Sequence, residues 1–218
     1  MKTVIAAGAA LGLAVFLSGC ATVSKAQCEA GQWEVMGINT ALAGKGPDRF
    51  YKIQEDCGRH GIAADEILFV KGWEGGRRTY CSPQTGFRDG QRGSRPGFGC
   101  PEDLADDYRD AYGLGTRIRR VEEPLRSAER SLEWRESRID QYNDELDRLD
   151  CSQGSEDERL FCRAKRDRLR EDLKTARFGL DSLRYDIREK RRVYEATLAD
   201  TMRAVERRFP GETSRPSP

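Results

Sequence analysis

The sequence predicts a mainly α protein: a small disulfide-linked helical domain followed by a long antiparallel coiled-coil hairpin. Three observations lead there. Hydrophobic residues make up 37% of the 218-residue chain and charged residues 34%, against about 45–50% (a figure that also counts glycine) and about 25% in ordinary globular chains. So little apolar content suits narrow helical stripes better than one large core. Residues 116–209 carry apolar side chains at alternating steps of three and four. Seven cysteines are present, and setting one aside for an N-terminal motif leaves an even number for cross-links.

The first segment is an export signal over residues 1–19. Lys2 gives a positive start, residues 4–16 are apolar, and small residues follow. The apolar run is short for a transmembrane helix, which needs about 20 apolar residues. The alternative, a buried N-terminal helix, finds no matching apolar face later in the chain. Leu17-Ser18-Gly19-Cys20 resembles the bacterial lipobox, in which the cysteine is lipidated and becomes the new N-terminus. Asp after that cysteine favours inner-membrane retention in lipoproteins. Ala21 therefore resembles the outer-membrane pattern, and residues 20–27 read as a lipidated linker.

The other six cysteines are Cys28, Cys57, Cys81, Cys100, Cys151 and Cys162. In an oxidising compartment they imply three disulfides. Cys151 and Cys162 flank one short interhelical loop and are expected to pair. If Cys28 opens one helix and Cys57 closes the next antiparallel one, these two meet, which leaves Cys81 with Cys100. The competing reading is zinc on Cys57 and His60 with further cysteines. The spacings form no repeated C-x-x-C pattern, and no metal is expected.

Residues 28–115 read as the small domain, with helices near 28–43, 48–59, 63–80, 84–92 and 102–113. The run Ile67, Leu68, Val70 and Trp73 serves a helix or a strand equally well. A small-residue spacing occurs three times: Gly37, Ala41, Gly44; Gly72, Gly76, Thr79; and Gly86, Gly90, Gly93. On helices, residues four apart share a face, and small ones there admit a close neighbour. Glycine suits turns as well, and the two readings stand level. No phosphate-binding glycine loop occurs.

In order along the chain stand the lipobox, Cys28, Trp33, Gly37, Cys57, His60-Gly61, Gly72, Tyr80-Cys81, Gly86-Phe87, Gly90, Gly93, Cys100-Pro101, Tyr108 and Tyr112-Gly113. That order resembles the bacterial lipoproteins of domain-of-unknown-function family 2799 over roughly the first 115 residues. The resemblance implies no activity and no site residues. The helical C-terminal part departs from the family's shorter members.

Residues 116–209 form the arm. A heptad seam runs through Ile118, Val121, Leu125, Ala128, Leu132, Arg135, Ile139, Tyr142, Leu146 and Leu149. Pro124 either begins this helix or kinks one that started near Glu102. Arg135 sets register, meets an acidic residue across the interface, or is a local defect. A loop near 151–155 follows, and Ser155 with Glu158 reads as a capping box. The second helix carries Leu169, Leu173, Ala176, Leu180, Leu183 and Ile187, then drifts through Tyr194, Leu198, Met202, Val205 and Phe209. At about 1.5 Å per residue the two helices are roughly 50 Å and 75 Å long. That inequality suggests that the second helix returns onto the small domain, or that a helix beginning near Glu102 supplies the missing partner. Residues 210–218 read as a disordered tail.

Function is less legible. Lys and Arg number 38 against 37 Asp and Glu, with the signs mixed, so the one-signed stripe of a nucleic-acid binder is missing. The leading expectation is a non-catalytic interaction or scaffold protein, with no cofactor. It would sit on the periplasmic face of the outer membrane, held by lipid on Cys20. Its partner would be an envelope protein or the cell wall. Arg163, Arg166, Arg170, Arg188, Arg191 and Arg192 are the interaction candidates. The plainer reading of these is a solvated face balanced by Asp167, Glu171, Asp172 and Glu189. An alternative is a ligand or cell-wall binding module using an aromatic groove of Trp33, Trp73, Tyr80, Phe87 and Phe98. A weaker one is a hydrolase or metal protein centred on His60, the single histidine, with Asp48, Asp56 or Asp65.

Overall fold

The computed structural model describes residues 22–211, and these form eight α-helices with no strand among them. The expected export signal, Cys20 and the part of the expected tail beyond Gly211 lie outside the described residues. The chain divides into two compact units, one through Gly76 and one from Arg77.

In the first unit Ser24 opens α1 (Lys25–Ala30) with a capping box. Its hydroxyl accepts from the Gln27 N–H, and its own N–H donates to the Gln27 side chain. Residues 22–27, expected as a linker, thus include a helix start. Gly31, at φ +59°, ends α1, and α2 (Trp33–Leu42) follows. The single helix expected over 28–43 is therefore two, because the left-handed conformation at Gly31 breaks the ladder. Next come α3 (Arg49–Gly58) and α4 (Glu66–Tyr80), which includes the run read equally as helix or strand. Cys28 is bonded to Cys57, with Cα atoms 5.5 Å apart.

The glycine spacing is a packing device here. A Cβ on Gly37 would lie 2.0 Å from the Phe69 carbonyl oxygen, and one on Gly72 would lie 1.9 Å from that of Glu34. Helices α2 and α4 therefore touch backbone to backbone. Around this crossing Trp33, Ala41, Phe50, Ile53, Phe69 and Trp73 are buried. The Trp73 indole N–H donates to the Lys45 carbonyl at 2.9 Å.

The second unit repeats the device. Ser82 caps α5 (Pro83–Arg92), which has Pro83 in its first turn, and Gly93 at φ +70° ends it. A Cβ on Gly90 would fall 2.1 Å from the Tyr112 carbonyl oxygen, and one on Gly115 would fall 2.1 Å from that of Phe87. Cys81 is bonded to Cys100.

The partner of α5 in this crossing is α6 (Glu102–Asp147), a single helix of 46 residues. The helix expected at 102–113 and the arm helix expected from about 118 are one element. Its buried positions explain why: Tyr108, Ala111, Gly115, Ile118, Leu125 and Ala128 keep heptad phase across Gly113 and Pro124. Pro124 removes one backbone hydrogen bond, but it is exposed and its neighbour Leu125 stays in the stripe.

Cys151 and Cys162 form the third disulfide. Ser155 and Glu158 make the expected capping box at the start of α7 (Glu156–Arg177). The second arm helix is not continuous. Phe178 is extended, Gly179 takes φ +77°, and α8 (Leu180–Arg208) begins afresh. Arg135, the charged seam residue, donates to the Phe178 carbonyl at 3.0 Å. It therefore binds a backbone oxygen beside the break, not an acidic side chain.

All ten seam positions from Ile118 to Leu149, the last just beyond the end of α6, are buried or half-buried. Lys165 pairs with Glu145, Arg184 with Glu136, Arg191 with Glu129 and Arg208 with Asp107. Leu125 and Ala128 pack with Ile187, and partly buried Leu132, Leu183 and Tyr194 join them. Val205 and Phe209 pack with Phe87, Ala111 and Ile118, so the end of α8 reaches the α5–α6 crossing.

Candidate functional site

The first feature lies beside the second crossing. Asp89 and Tyr108 are buried on facing turns of α5 and α6, with Tyr80 at the end of α4. Both phenols donate to Asp89 Oδ2, Tyr80 at 2.5 Å and Tyr108 at 2.7 Å. The Ser94 hydroxyl, at 3.3 Å, donates to Oδ1. Burial, then the Asp89 carboxylate, pushes the Tyr80 phenol up to about 12. The same causes push Tyr108 up as well. Tyr108 is thus locked at its hydroxyl, and its ring is half of a stack with Tyr112, centroids 6.4 Å apart.

These rings floor a cleft of about 310 Å³ that also meets Phe98, Cys100, Arg95 and Arg109. Arg109 is paired with Asp106 at 2.6 Å. Arg95 lies over the Tyr112 ring and reaches its hydroxyl at 3.4 Å. Its contacts are phenolic and include no carboxylate.

The aromatics expected to line one groove do not share it. Trp33 and Trp73 are buried in the first unit, and Phe87 lies in the α5–α6–α8 core. Tyr80 and Phe98 meet edge-on at 5.4 Å, and of the five only Phe98 lines the cleft. Tyr108, Tyr112 and Arg95 went unnoticed as site residues. The spacing of Tyr108 and Tyr112, four apart, was the available signal, since such residues share a helix face.

The second feature is on the arm. A cleft of about 480 Å³ opens at the α7–α8 break, lined by Trp134, Arg135, Arg138, Tyr142 and Phe178 among others. Phe178 is 82% exposed and Trp134 65%. Arg138 lies over the Tyr142 ring at 4.7 Å and also donates to its hydroxyl. Two large rings thus stand open beside the helix break.

The six expected interaction arginines are spread over two helices, Arg163, Arg166 and Arg170 on α7 and Arg188, Arg191 and Arg192 on α8. Several are engaged. Arg170 pairs with Asp167, Arg191 with Glu129 and Arg192 with Glu189, and Arg188 lies over the Tyr185 ring. His60 is exposed. Of the carboxylates considered with it, Asp56 accepts from the Thr22 N–H and Asp65 from the Leu68 N–H. The four cysteines of the zinc reading are bonded in pairs. Among the described residues no group of three or more His, Cys, Asp or Glu stands ready to hold a metal ion. No described helix is long and apolar enough to cross a membrane.

Residues 32–117 match the family model described as Protein of unknown function (DUF2799), the stretch over which the sequence resembles that family. Gly37, Gly72, Gly76, Gly86, Gly90 and Gly115, where an added Cβ would strike a facing backbone carbonyl, fall inside it. Residues beyond 117, which include most of α6 and all of α7 and α8, lie outside the match. Neither the curated proteins nor the solved structures yielded a match.

Proposed function

We propose, for a chain whose residues 32–117 fall in that family, that it is a non-catalytic envelope lipoprotein working as an interaction or scaffold protein. The lipid on Cys20 holds it at the periplasmic face of the outer membrane. Helices α6, α7 and α8 act as an antiparallel coiled-coil hairpin that presents a contact surface to an envelope protein. The export signal, the lipobox and three disulfides support the compartment. The buried heptad seam supports the hairpin. So does the order of the pairs Lys165–Glu145, Arg184–Glu136 and Arg191–Glu129.

One observation carries the interaction reading: Trp134 and Phe178 stand exposed together at the break in the arm. Large aromatics flanked by arginine are the usual anchors of protein interfaces. The test is affinity capture of the full-length protein from membranes after chemical crosslinking, beside a Trp134→Ser/Phe178→Ser double variant. One envelope protein held by the native chain and lost from the variant supports the reading. Equal capture by both removes the arm from the function.

A second reading rests on the Arg95–Tyr112–Tyr108 cleft. Its volume is at the small end of the range of about 300–1,000 Å³ for ligand sites. Rings with a guanidinium lacking a carboxylate partner suit a single-ring ligand bearing an acid group. N-acetylmuramic acid and N-acetylglucosamine differ by such a group. Calorimetry with both sugars checks this reading, which requires tighter binding of the acid and its loss in Arg95→Gln.

A further inference from the structure

The chain around Thr22 is held more firmly than an anchor linker needs to be. The Thr22 N–H donates to Asp56 Oδ2 at 2.6 Å. Asp56 is 3% exposed, beside the Cys28–Cys57 disulfide that joins α1 to α3. Val23 is buried, and Ser24 carries the capping box of α1. Three successive residues are thus fixed by an ionised side chain, by burial and by a helix cap. The hydrogen bond from Thr22 is the largest influence holding Asp56 below the ordinary aspartate range. Lys52, Arg59 and the Val23 N–H act in the same direction, while burial opposes them.

Cys20 precedes Thr22 by two residues. Two residues span at most about 7 Å of fully extended chain, whatever path residues 20 and 21 take. A flexible tether of ten or more residues would let a domain range over tens of ångströms. Here the free length is almost nothing.

We infer that the first unit is docked directly on the lipid surface, with the Thr22–Asp56 clasp as the mount that fixes its membrane-facing end. This rests on the lipoprotein reading above and adds to it the partner and the part of the fold that meets it. The occupant is the bilayer surface, because the lipidated residue lies within about 7 Å of Thr22. Charge is not what holds it there. The cations nearest Asp56 are already paired, Lys52 with Glu55, and Arg59 with both Glu55 and Asp56. Lys25 is likewise matched by Glu29, so the charges around the clasp balance, and docking is set by the tether and is indifferent to salt and to anionic lipid.

The experiment uses the lipidated full-length protein in phosphatidylcholine vesicles that carry an acceptor dye on the head group. A donor is placed at exposed Lys25 through an encoded azide. Mass spectrometry of the N-terminal peptide first establishes the diacylglyceryl group on Cys20. Its absence sinks the lipoprotein reading, and this inference with it. With lipid present, energy transfer is expected to be strong and unchanged by added salt or anionic lipid. A 12-residue Gly/Ser insertion between Ala21 and Thr22 leaves the clasp intact and is expected to lower transfer at least about twofold, since such a linker spans about 20 Å. Asp56→Ala is expected to lower it less and to speed amide exchange at Thr22 and Val23, while Asp56→Asn keeps an accepting oxygen and retains most of the protection. Transfer that the insertion leaves unchanged, or that salt abolishes, overturns the inference while the lipoprotein reading stands.

Discussion

The helices of residues 25–118 and the outer part of the arm solve the packing problem in opposite ways. In the former, glycines let backbones touch, and two of the three disulfides tie the elements. In the latter, a thin seam of half-buried side chains holds long charged helices together, with exposed ion pairs beside it. The glycine crossings are unforgiving because the object in contact is backbone, which cannot move aside. The seam is tolerant because each position contributes little, and surface ion pairs contribute about 0–1 kcal/mol each. That tolerance leaves room for open rings such as Trp134 and Phe178, to which the proposed function assigns the contact.

The largest expected effect comes from filling a crossing. Gly72→Ala and Gly90→Ala each put a Cβ about 2 Å from a carbonyl oxygen, and each should cost more than about 3 kcal/mol by forcing the helices apart. Thermal unfolding should show a Tm lowered by ten degrees or more, or no folded protein. Gly113→Ala is the control. It lies in α6 with nothing within 4 Å of the added carbon, and should stabilise by about 0.5–1 kcal/mol through helix propensity. Similar losses at all three positions would break the distinction.

Next in size is the buried tyrosine pair. Tyr108→Phe leaves Asp89 Oδ2 with the Tyr80 phenol alone and should cost about 1–3 kcal/mol in denaturant unfolding. The sign in pH follows from the raised phenol. Below pH 10 both folded and unfolded Tyr80 hold the proton. Between 10 and about 12 only the folded form does, so stability falls as pH rises through that window. Absorbance titration at alkaline pH should show the Tyr80 and Tyr108 phenols ionising above the ordinary tyrosine range.

The arm should answer more gently. Cys151→Ser/Cys162→Ser opens a loop of sequence separation 11 and should cost about 3 kcal/mol or less. Amide exchange should rise at 146–165 and stay unchanged in the crossings. Smallest is Thr201→Val. Thr201 is fully buried, and its hydroxyl lacks a hydrogen-bond partner, so the change should raise stability by about 1 kcal/mol.

Much of the fold was legible because periodicity and cysteine spacing act locally. The seam from Ile118 to Leu149, the Ser155–Glu158 cap and the three disulfides all stood in the sequence. The glycine spacing was visible but ambiguous, since turns and close helix contacts select the same residue. In the structure the repeat does both, with Gly37 and Gly90 inside crossings and Gly93 at a helix end. The continuity of α6 stayed open in the sequence, since Pro124 could begin a helix or kink one that started near Glu102, and heptad phase across Gly113, Gly115 and Pro124 decides it. The break at Gly179 was hidden for the converse reason: the apolar spacing from Leu169 to Ile187 runs across it unbroken. The cleft depends on Tyr108 and Tyr112 meeting Arg95 across a loop, a tertiary juxtaposition that no local pattern encodes.

The most direct test of the central claim is photocrosslinking in living cells, with a photoreactive residue placed singly at Phe178, Trp134, Tyr51 and Ile67. All four positions are exposed, and they divide between the arm and the first unit. The account predicts one common envelope protein captured from Phe178 and Trp134, and no such product from Tyr51 or Ile67. Capture of a partner from the first unit alone, with the arm positions silent, would contradict it.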